Sequence, residues 1–307
     1  MLYNRVLITG ANGLLGQALV HRLSRFPEYD VLATARDDAP RFTGGSCGYA
    51  PLDVTRPPDV EAIFEDFTPN VVVNYAALSD TSQCAEDPKT AWAVNAEAVR
   101  TLAHCCRIIG ARLVQVSSDF VFDGRDGPYA EDARPNPVNE YGRTKLAGEN
   151  AVREAGPSKW AIARTVLVYG TAEAMSRSNV VLWVLNELSQ NRPIHVVEDQ
   201  WRTPTYVEDL AAGIERMLHF EKTGIYHLSG RELITVYDLA CRVAEVFNLD
   251  ASLIHPVASD FFDEAVSRPP RTGFLILKAE SEIGFKPRSL REGLRHLAGE
   301  IDHPVAS

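Results

Sequence analysis

A short apolar run, Val6-Leu7-Ile8, leads straight into Thr9-Gly10-Ala11-Asn12-Gly13-Leu14-Leu15-Gly16, and a helical pattern opens at Leu14. Glycines recurring every third residue between a strand and a helix leave few folds open. Glycine accepts a tight turn and lets backbone approach a ligand, and the free N–H groups and dipole of a helix start favour negative charge. This strand–turn–helix unit is expected to cradle a pyrophosphate with Gly10, Asn12, Gly13, Leu14, Leu15 and Gly16. The GxxGxxG spacing is looser than the dinucleotide fingerprint GxGxxG. Position and context therefore carry the reading against the plainer one of a glycine-rich turn.

The unit repeats. Strand-like runs at 31–35, 48–52, 71–74, 112–117 and 160–169 alternate with helical stretches at about 14–25, 60–67 and 88–109 and one ending near 154. Continuous Val/Ile/Leu strands alternating with helices imply a parallel sheet covered on both faces. The expected fold is α/β, a Rossmann-type doubly wound sheet over residues 1–170. Beyond Gly170 the pattern loosens: helical at 180–188, 207–220 and 236–247, strand-like at 193–197 and 224–228, then a tail rich in Pro and Arg. Residues 171–307 are expected to form a smaller, interleaved substrate-binding lobe, with segments of about 200–245 packing back onto the first domain.

The chain has 307 residues, 45% of them hydrophobic and 23% charged, which suits a globular protein with a large core. Its net charge of -10 repels a phosphate backbone and argues against nucleic-acid partners. No apolar run approaches the roughly 20 residues of a membrane span. The opening segment runs directly into a strand, so no signal peptide is expected. Five cysteines without CxxC spacing read as reduced thiols of a cytoplasmic protein. The eight scattered histidines give no reason to expect a catalytic metal.

Two further signals concern chemistry. Tyr141 and Lys145, four apart, share one face of a helix. An ammonium beside a phenol would favour the phenolate, lowering its pKa towards the working range and making Tyr141 a general acid/base. An exposed pair on an ordinary helix is the alternative. At the end of the second strand, Ala33-Thr34-Ala35-Arg36 lacks the acid that would bind the adenosine ribose of NAD and offers Arg36 for a 2′-phosphate. NADP(H) is therefore the preferred cofactor, with NAD(H) possible. Asp53, followed by Val54 after the third strand, either meets the adenine or caps the next helix.

Together with the glycine loop, Asn74-Tyr75-Ala76-Ala77, Asn95, Ser117-Ser118-Asp119 and the Tyr141/Lys145 pair resemble the extended short-chain dehydrogenase/reductases over essentially the whole chain. Ser118-Asp119-Phe120-Val121-Phe122-Asp123-Gly124 is similar to the STDYVFDG segment of dTDP-4-dehydrorhamnose reductases. Asp199-Gln200, Pro204-Thr205 and Asp209 are similar to their DQxGxPT region, and Arg268-Pro269 with Leu275 to a late RPxxSxLD stretch. Three departures fall in the substrate half. Phe120 replaces a Tyr, Gln200-Trp201-Arg202-Thr203 is bulkier than the glycine-bearing segment, and Thr272-Gly273 stand in the late stretch.

The resemblance implies NADPH-dependent reduction of a nucleotide-linked 4-keto-6-deoxy sugar, dTDP-4-dehydrorhamnose to dTDP-L-rhamnose, by a monomer or homodimer. It implies Ser118, Tyr141 and Lys145 as the catalytic set, with Ser118 donating to the carbonyl oxygen and Lys145 also holding the nicotinamide ribose. Ala76, Ala77 and Asn95 would line the cofactor side, Asn95 placing a water or simply bonding backbone. Asp80, Asp119, Phe120, Asn179, Trp201, Arg202 and Arg271 are the candidates for substrate contact, with core packing or surface charge as their plainer roles. A sugar-nucleotide epimerase or dehydratase with bound NAD is a competing reading. The dehydratases' consecutive Asp-Glu is Asp119-Phe120 here. The other competitor is a non-catalytic NADP-binding subunit similar to the methionine adenosyltransferase β-subunit.

Overall fold

The computed structural model describes residues 4–155, 159–175, 177–262 and 266–302. Seven parallel strands form the central sheet in the order β11-β6-β5-β4-β1-β2-β3. They are β1 (Asn4–Thr9), β2 (Tyr29–Ala35), β3 (Gly48–Pro51), β4 (Val71–Asn74), β5 (Arg112–Ser118), β6 (Trp160–Thr165) and, after four short strands, β11 (Gly224–His227). Side chains alternate across a strand. Val6 and Ile8 accordingly join one buried cluster and Leu7 the other. Helix α1 (Leu14–Leu23), with α8 (Val207–His219) packed against it, supplies the first cluster. Helices α2 (Pro57–Phe67) and α5 (Ala98–Ile109) supply the second. The expected doubly wound α/β fold is borne out.

The chain reverses direction across the sheet between β1 and β4. In open α/β sheets, ligands bind at such a switch point, outside the carboxyl ends of the strands. The glycine loop leaves β1 there, residues 75–80 leave β4, and Ser118 ends β5. Gly10 has φ +69, and a Cβ on it would lie 2.7 Å from the Ala76 nitrogen. A Cβ on Gly16 would lie 2.4 Å from the Gly10 carbonyl oxygen. The two loops thus touch through backbone. Gly10→Ala is expected to cost about 1–3 kcal/mol through strain at this site and to abolish dinucleotide binding, checked by NADPH titration beside thermal unfolding.

The long helix expected at 88–109 is three pieces: α4 (Pro88–Trp92), a π-helical turn (Ala93–Glu97) and α5. Thr81–Glu86 adds a short α3 before it. The strand expected over 160–169 breaks after Thr165, because Leu167 adopts φ 38, and resumes as β7 (Val168–Tyr169). The remaining elements are α6 (Glu140–Ala155), α7 (Val180–Ser189), β8 (Ile194–Val197), β9 (Trp201–Arg202), β10 (Thr205–Tyr206), β12 (Ile234–Thr235), α9 (Val236–Val246), β13 (Ile254–Val257), α10 (Leu277–Ile283) and α11 (Leu290–Asp302). Six short strands pair off outside the main sheet, β7 with β10, β8 with β13 and β9 with β12.

Candidate functional site

Gly13 caps α1 without a side-chain hydrogen bond, and the first turn holds no acid. The N–H groups at this helix start therefore remain available to an anion. Gly13 is exposed, Leu14 and Leu15 half-buried, and Gly16 buried. Asn12 does not reach outward. Its amide donates to Asp37 (2.7 Å) and to the Ala39 carbonyl (3.3 Å), and accepts from the Arg41 N–H (3.0 Å), so it shapes the loop after β2. Arg36, on that loop, is exposed and lies within electrostatic reach of Asp37 and Asp53. Asp53 accepts from the Thr55 N–H (2.9 Å) and hydroxyl (2.7 Å), and Val54 is buried.

Sequence reasoning missed Gln17, which ties this side to the segment that follows β7. It donates to the Asn12 carbonyl (3.1 Å) and the Glu173 carbonyl (2.9 Å) and accepts from the Glu173 N–H (3.0 Å). The Glu173 carboxylate in turn accepts from Thr43. A polar residue on the buried face of α1 was the available signal.

On the other side of the switch point, Ala76 is half-buried and Ala77 exposed. Asp80 caps α3 through the Ser82 and Gln83 N–H groups and pairs with Arg177 at 3.0 Å. Asn95 sits in the π-helical turn, an irregularity frequent at functional sites. Its amide is spent on protein. It accepts from the Leu78 N–H (2.9 Å) and donates to the Leu78 carbonyl (2.9 Å) and Thr144 Oγ1 (3.0 Å). It thereby fixes the loop after β4 to α6.

Helix α6 approaches this region closely because two glycines let it. A Cβ on Gly142 would lie 2.1 Å from the Phe120 carbonyl oxygen, and one on Gly148 would lie 2.3 Å from that of Asn95. Tyr141 meets Phe120 edge-on, centroids 5.8 Å apart, and its phenol lies within electrostatic reach of Ser118 and Asp119. Ser117 points elsewhere: its hydroxyl is buried without a hydrogen-bond partner.

Here the expected electrostatics are corrected. Burial pushes the Tyr141 phenol up to about 12, the Asp119 charge adds to this, and the bond with Ser118 offsets part of it. The Lys145 ammonium donates to the Val116 carbonyl (2.8 Å). Burial in turn lowers Lys145 to about 8, with Glu149 pulling the other way. Burial thus favours the neutral form of the Tyr141 phenol.

The substrate candidates divide. Arg202, expected to reach a diphosphate, is 3% exposed and faces inward. It approaches Asp119 at 3.8 Å, donates to the Trp201 (2.7 Å) and Pro270 (3.3 Å) carbonyls, and lies 5.5 Å over the Phe120 ring. A buried guanidinium needs a counter-charge and acceptors, and these use it up. Asn179 caps α7 through the Leu182 N–H and donates to the Gly170 carbonyl (2.8 Å). Trp201 is half-buried, with the exposed Arg271 stacked 5.5 Å over its ring. Thr272, passed over in the sequence, is buried against Asp119. Among the described residues no His/Cys/Asp/Glu group could hold a metal ion, and no helix is long and apolar enough to cross a membrane.

A family model described as the RmlD substrate binding domain matches residues 4–302. The chain is 36% identical to a Streptomyces niveus dTDP-4-keto-6-deoxy-D-glucose reductase, covering 92% of each chain. It is 37% identical to the methionine adenosyltransferase 2 subunit beta of Xenopus tropicalis, over 87% of this chain and 78% of that one. A crystal structure of the dTDP-4-dehydrorhamnose reductase of Bacillus anthracis in complex with NADP superposes with a TM-score of 0.86 at 30% identity, covering 97% of this chain and 99% of that one.

Proposed function

The chain belongs to the RmlD substrate binding domain family, and from that premise we propose that it reduces a nucleotide-linked 4-keto-6-deoxy sugar with NADPH. dTDP-4-dehydrorhamnose is the first substrate of this reading and dTDP-4-keto-6-deoxy-D-glucose the second. The observation that carries it is the meeting of Tyr141, Ser118 and Lys145 at the end of β5, beside a glycine loop whose helix start is uncapped.

NADPH, when bound, supplies the hydride. Gly10, Gly13 and Gly16 give its pyrophosphate access to the N–H groups of α1, and Arg36 pairs with its 2′-phosphate. Tyr141 delivers its proton to the carbonyl oxygen as negative charge grows there. A neutral phenol suits reduction, where the group must start protonated. Lys145, buried and partly relieved by Glu149, keeps a cation at the cofactor side of that phenol. Trp201 and Arg271 offer a ring and a charge to the nucleotide. The competing dehydratase reading lacks a second carboxyl beside Asp119, where Phe120 stands. The reading places the protein in the cytoplasm, where sugar nucleotides are made.

The test is NADPH consumption with each sugar nucleotide in turn. Consumption that depends on the sugar supports the reading. Tight NADPH binding without turnover of either sugar, together with co-purification of an adenosyltransferase, would favour the regulatory-subunit alternative that the Xenopus relative suggests. Arg36→Ala is expected to weaken NADPH binding by about tenfold or more, the worth of one charge-assisted bond, and to leave NADH binding nearly unchanged. Equal losses for both cofactors would remove the 2′-phosphate contact.

A further inference from the structure

Nothing in the sequence pattern marks Arg177, yet the structure sets its side chain across the cleft. Its Nη2 lies 3.0 Å from Asp80 Oδ2, and its Nη1 donates to Ser79 Oγ at 3.3 Å. Both partners belong to the loop after β4, which Asn95 fixes through Leu78. Arg177 itself stands between two anchored points of the chain. Glu173 is tied to Gln17 on α1, and Asn179 caps α7 and donates to the Gly170 carbonyl. The side chain thus bridges from the lead-in of α7 to the carboxyl end of the sheet, and its charge reaches the Tyr141 phenol.

Asp80 divides its oxygens. Oδ1 accepts from the Ser82 (2.9 Å) and Gln83 (3.1 Å) N–H groups, which fixes the carboxylate, and Oδ2 meets the guanidinium. A guanidinium carries several N–H donors in a rigid fork that matches carboxylate and phosphate alike. Ser79 and Asp80 occupy part of that fork, and the Arg177 side chain is still 56% exposed. The Asp80 oxygen therefore marks a place where a ligand oxyanion can be held. A chain of net charge -10 binds an anionic ligand only where cations gather locally. Arg202, which the sequence offered to a diphosphate, is spent inside the protein. Arg177 and Arg268 both act on Asp80.

We propose that Arg177 is a substrate-binding residue that takes the diphosphate of the sugar nucleotide, and that Asp80 holds the guanidinium in place until the ligand arrives. This rests on the reductase reading and adds to it a residue for the charged part of the ligand. The Arg177–Asp80 pair is partly exposed, and pairs of that kind hold by about fivefold or less. A charge-assisted bond is worth about tenfold or more, so the diphosphate wins the exchange. The cofactor's own pyrophosphate is not the partner. In this reading it lies on the start of α1, whereas Arg177 is bonded to the loop after β4 and lies in reach of Tyr141.

The test is calorimetric titration of dTDP and of thymidine into the NADP+-loaded protein, for the parent, Arg177→Ala and Arg177→Lys, with thermal unfolding as the check on folding. The parent is expected to bind dTDP more tightly than thymidine. Arg177→Ala should weaken dTDP binding by about tenfold or more and leave thymidine and NADPH binding unchanged. Arg177→Lys keeps the charge without the fork and should fall between. In turnover, KM for the sugar nucleotide should rise by a similar factor while kcat holds within about threefold, the pattern of binding lost equally from ground and transition states. Undiminished dTDP affinity in a folded Arg177→Ala protein, or a loss that falls on NADPH instead, overturns the inference and leaves the reductase reading standing. Arg177-dependent dTDP binding without turnover of any keto sugar supports the inference and overturns the reductase reading. Failure of the parent to bind dTDP overturns the inference outright.

Discussion

Tyr141→Phe is expected to lower turnover by about a hundredfold or more, the usual worth of a positioned general acid, while NADPH affinity and stability stay near those of the parent protein. The substitution removes one oxygen and keeps the ring that packs edge-on against Phe120 at 5.8 Å. What it removes is the proton that neutralises the developing alkoxide. Ser118 cannot replace it, because its own proton lies towards Asp119 at 3.0 Å. Lys145 cannot either, because its ammonium is turned to the Val116 carbonyl. Steady-state kinetics and NADPH titration on the same preparation separate the two effects. Unchanged turnover would remove Tyr141 from the chemistry, and an equal loss of cofactor affinity would mean that the substitution disturbed the fold.

Glu149→Ala is expected to destabilise the protein by about 3–5 kcal/mol, the cost of leaving a buried charge uncompensated. Arg164 is 1% exposed and reaches the fully buried Glu149 through two bonds, 2.8 Å from its Nε and 2.7 Å from its Nη2. Arg153 adds a third contact from the next helical turn. Without the carboxylate, a guanidinium remains inside the protein beneath the sheet's end. Replacing both partners, as Glu149→Leu with Arg164→Met, should recover much of the loss, since a packed apolar pair carries no desolvation cost. Urea unfolding reads both variants. A loss below about 1 kcal/mol, the range of surface pairs, would mean that Arg164 finds another acceptor. Glu149 also opposes the burial that lowers Lys145, so the acid limb of Lys145 titration should move down with it.

The frame of the sheet was legible because its signals are long and local. Val6-Leu7-Ile8 and Val71-Val72-Val73 are uninterrupted apolar strands, and Gly10, Gly13 and Gly16 mark the turn from β1 into α1. The two-residue strands β7, β9, β10 and β12 were not legible. Two residues carry no periodicity, and their pairing is decided by distant segments. The break after Thr165 was hidden for a similar reason, since Leu167 gives no hint of its left-handed backbone.

In the candidate site, residues spaced along one helix could be read as a pair, and contacts made across the fold could not. Tyr141 and Lys145 stand four apart as read, but burial pushes the phenol up instead of down, and the ammonium donates to a strand carbonyl, Val116. Arg202 reads in sequence as a free cation for a phosphate, as most arginines near a binding segment would. Only the arrival of Asp119 and Thr272 from other parts of the chain shows it to be an internal counter-charge. Arg164 and Glu149 did carry a signal. A charge in the apolar strand 160–165 and an acid one helical turn beyond Lys145 both lie at positions that pattern assigns to the core.

The central claim is that hydride passes to a carbonyl carbon of a sugar nucleotide in this site. The most direct measurement uses the unmodified protein with NADPH deuterated at the transferring C4 position and dTDP-4-dehydrorhamnose, followed by mass and NMR analysis of the sugar. The account predicts one deuterium on the former keto carbon for each NADPH consumed, and none in Tyr141→Phe on the same timescale. A product without deuterium, or NADPH consumed without any change in the sugar, would contradict it.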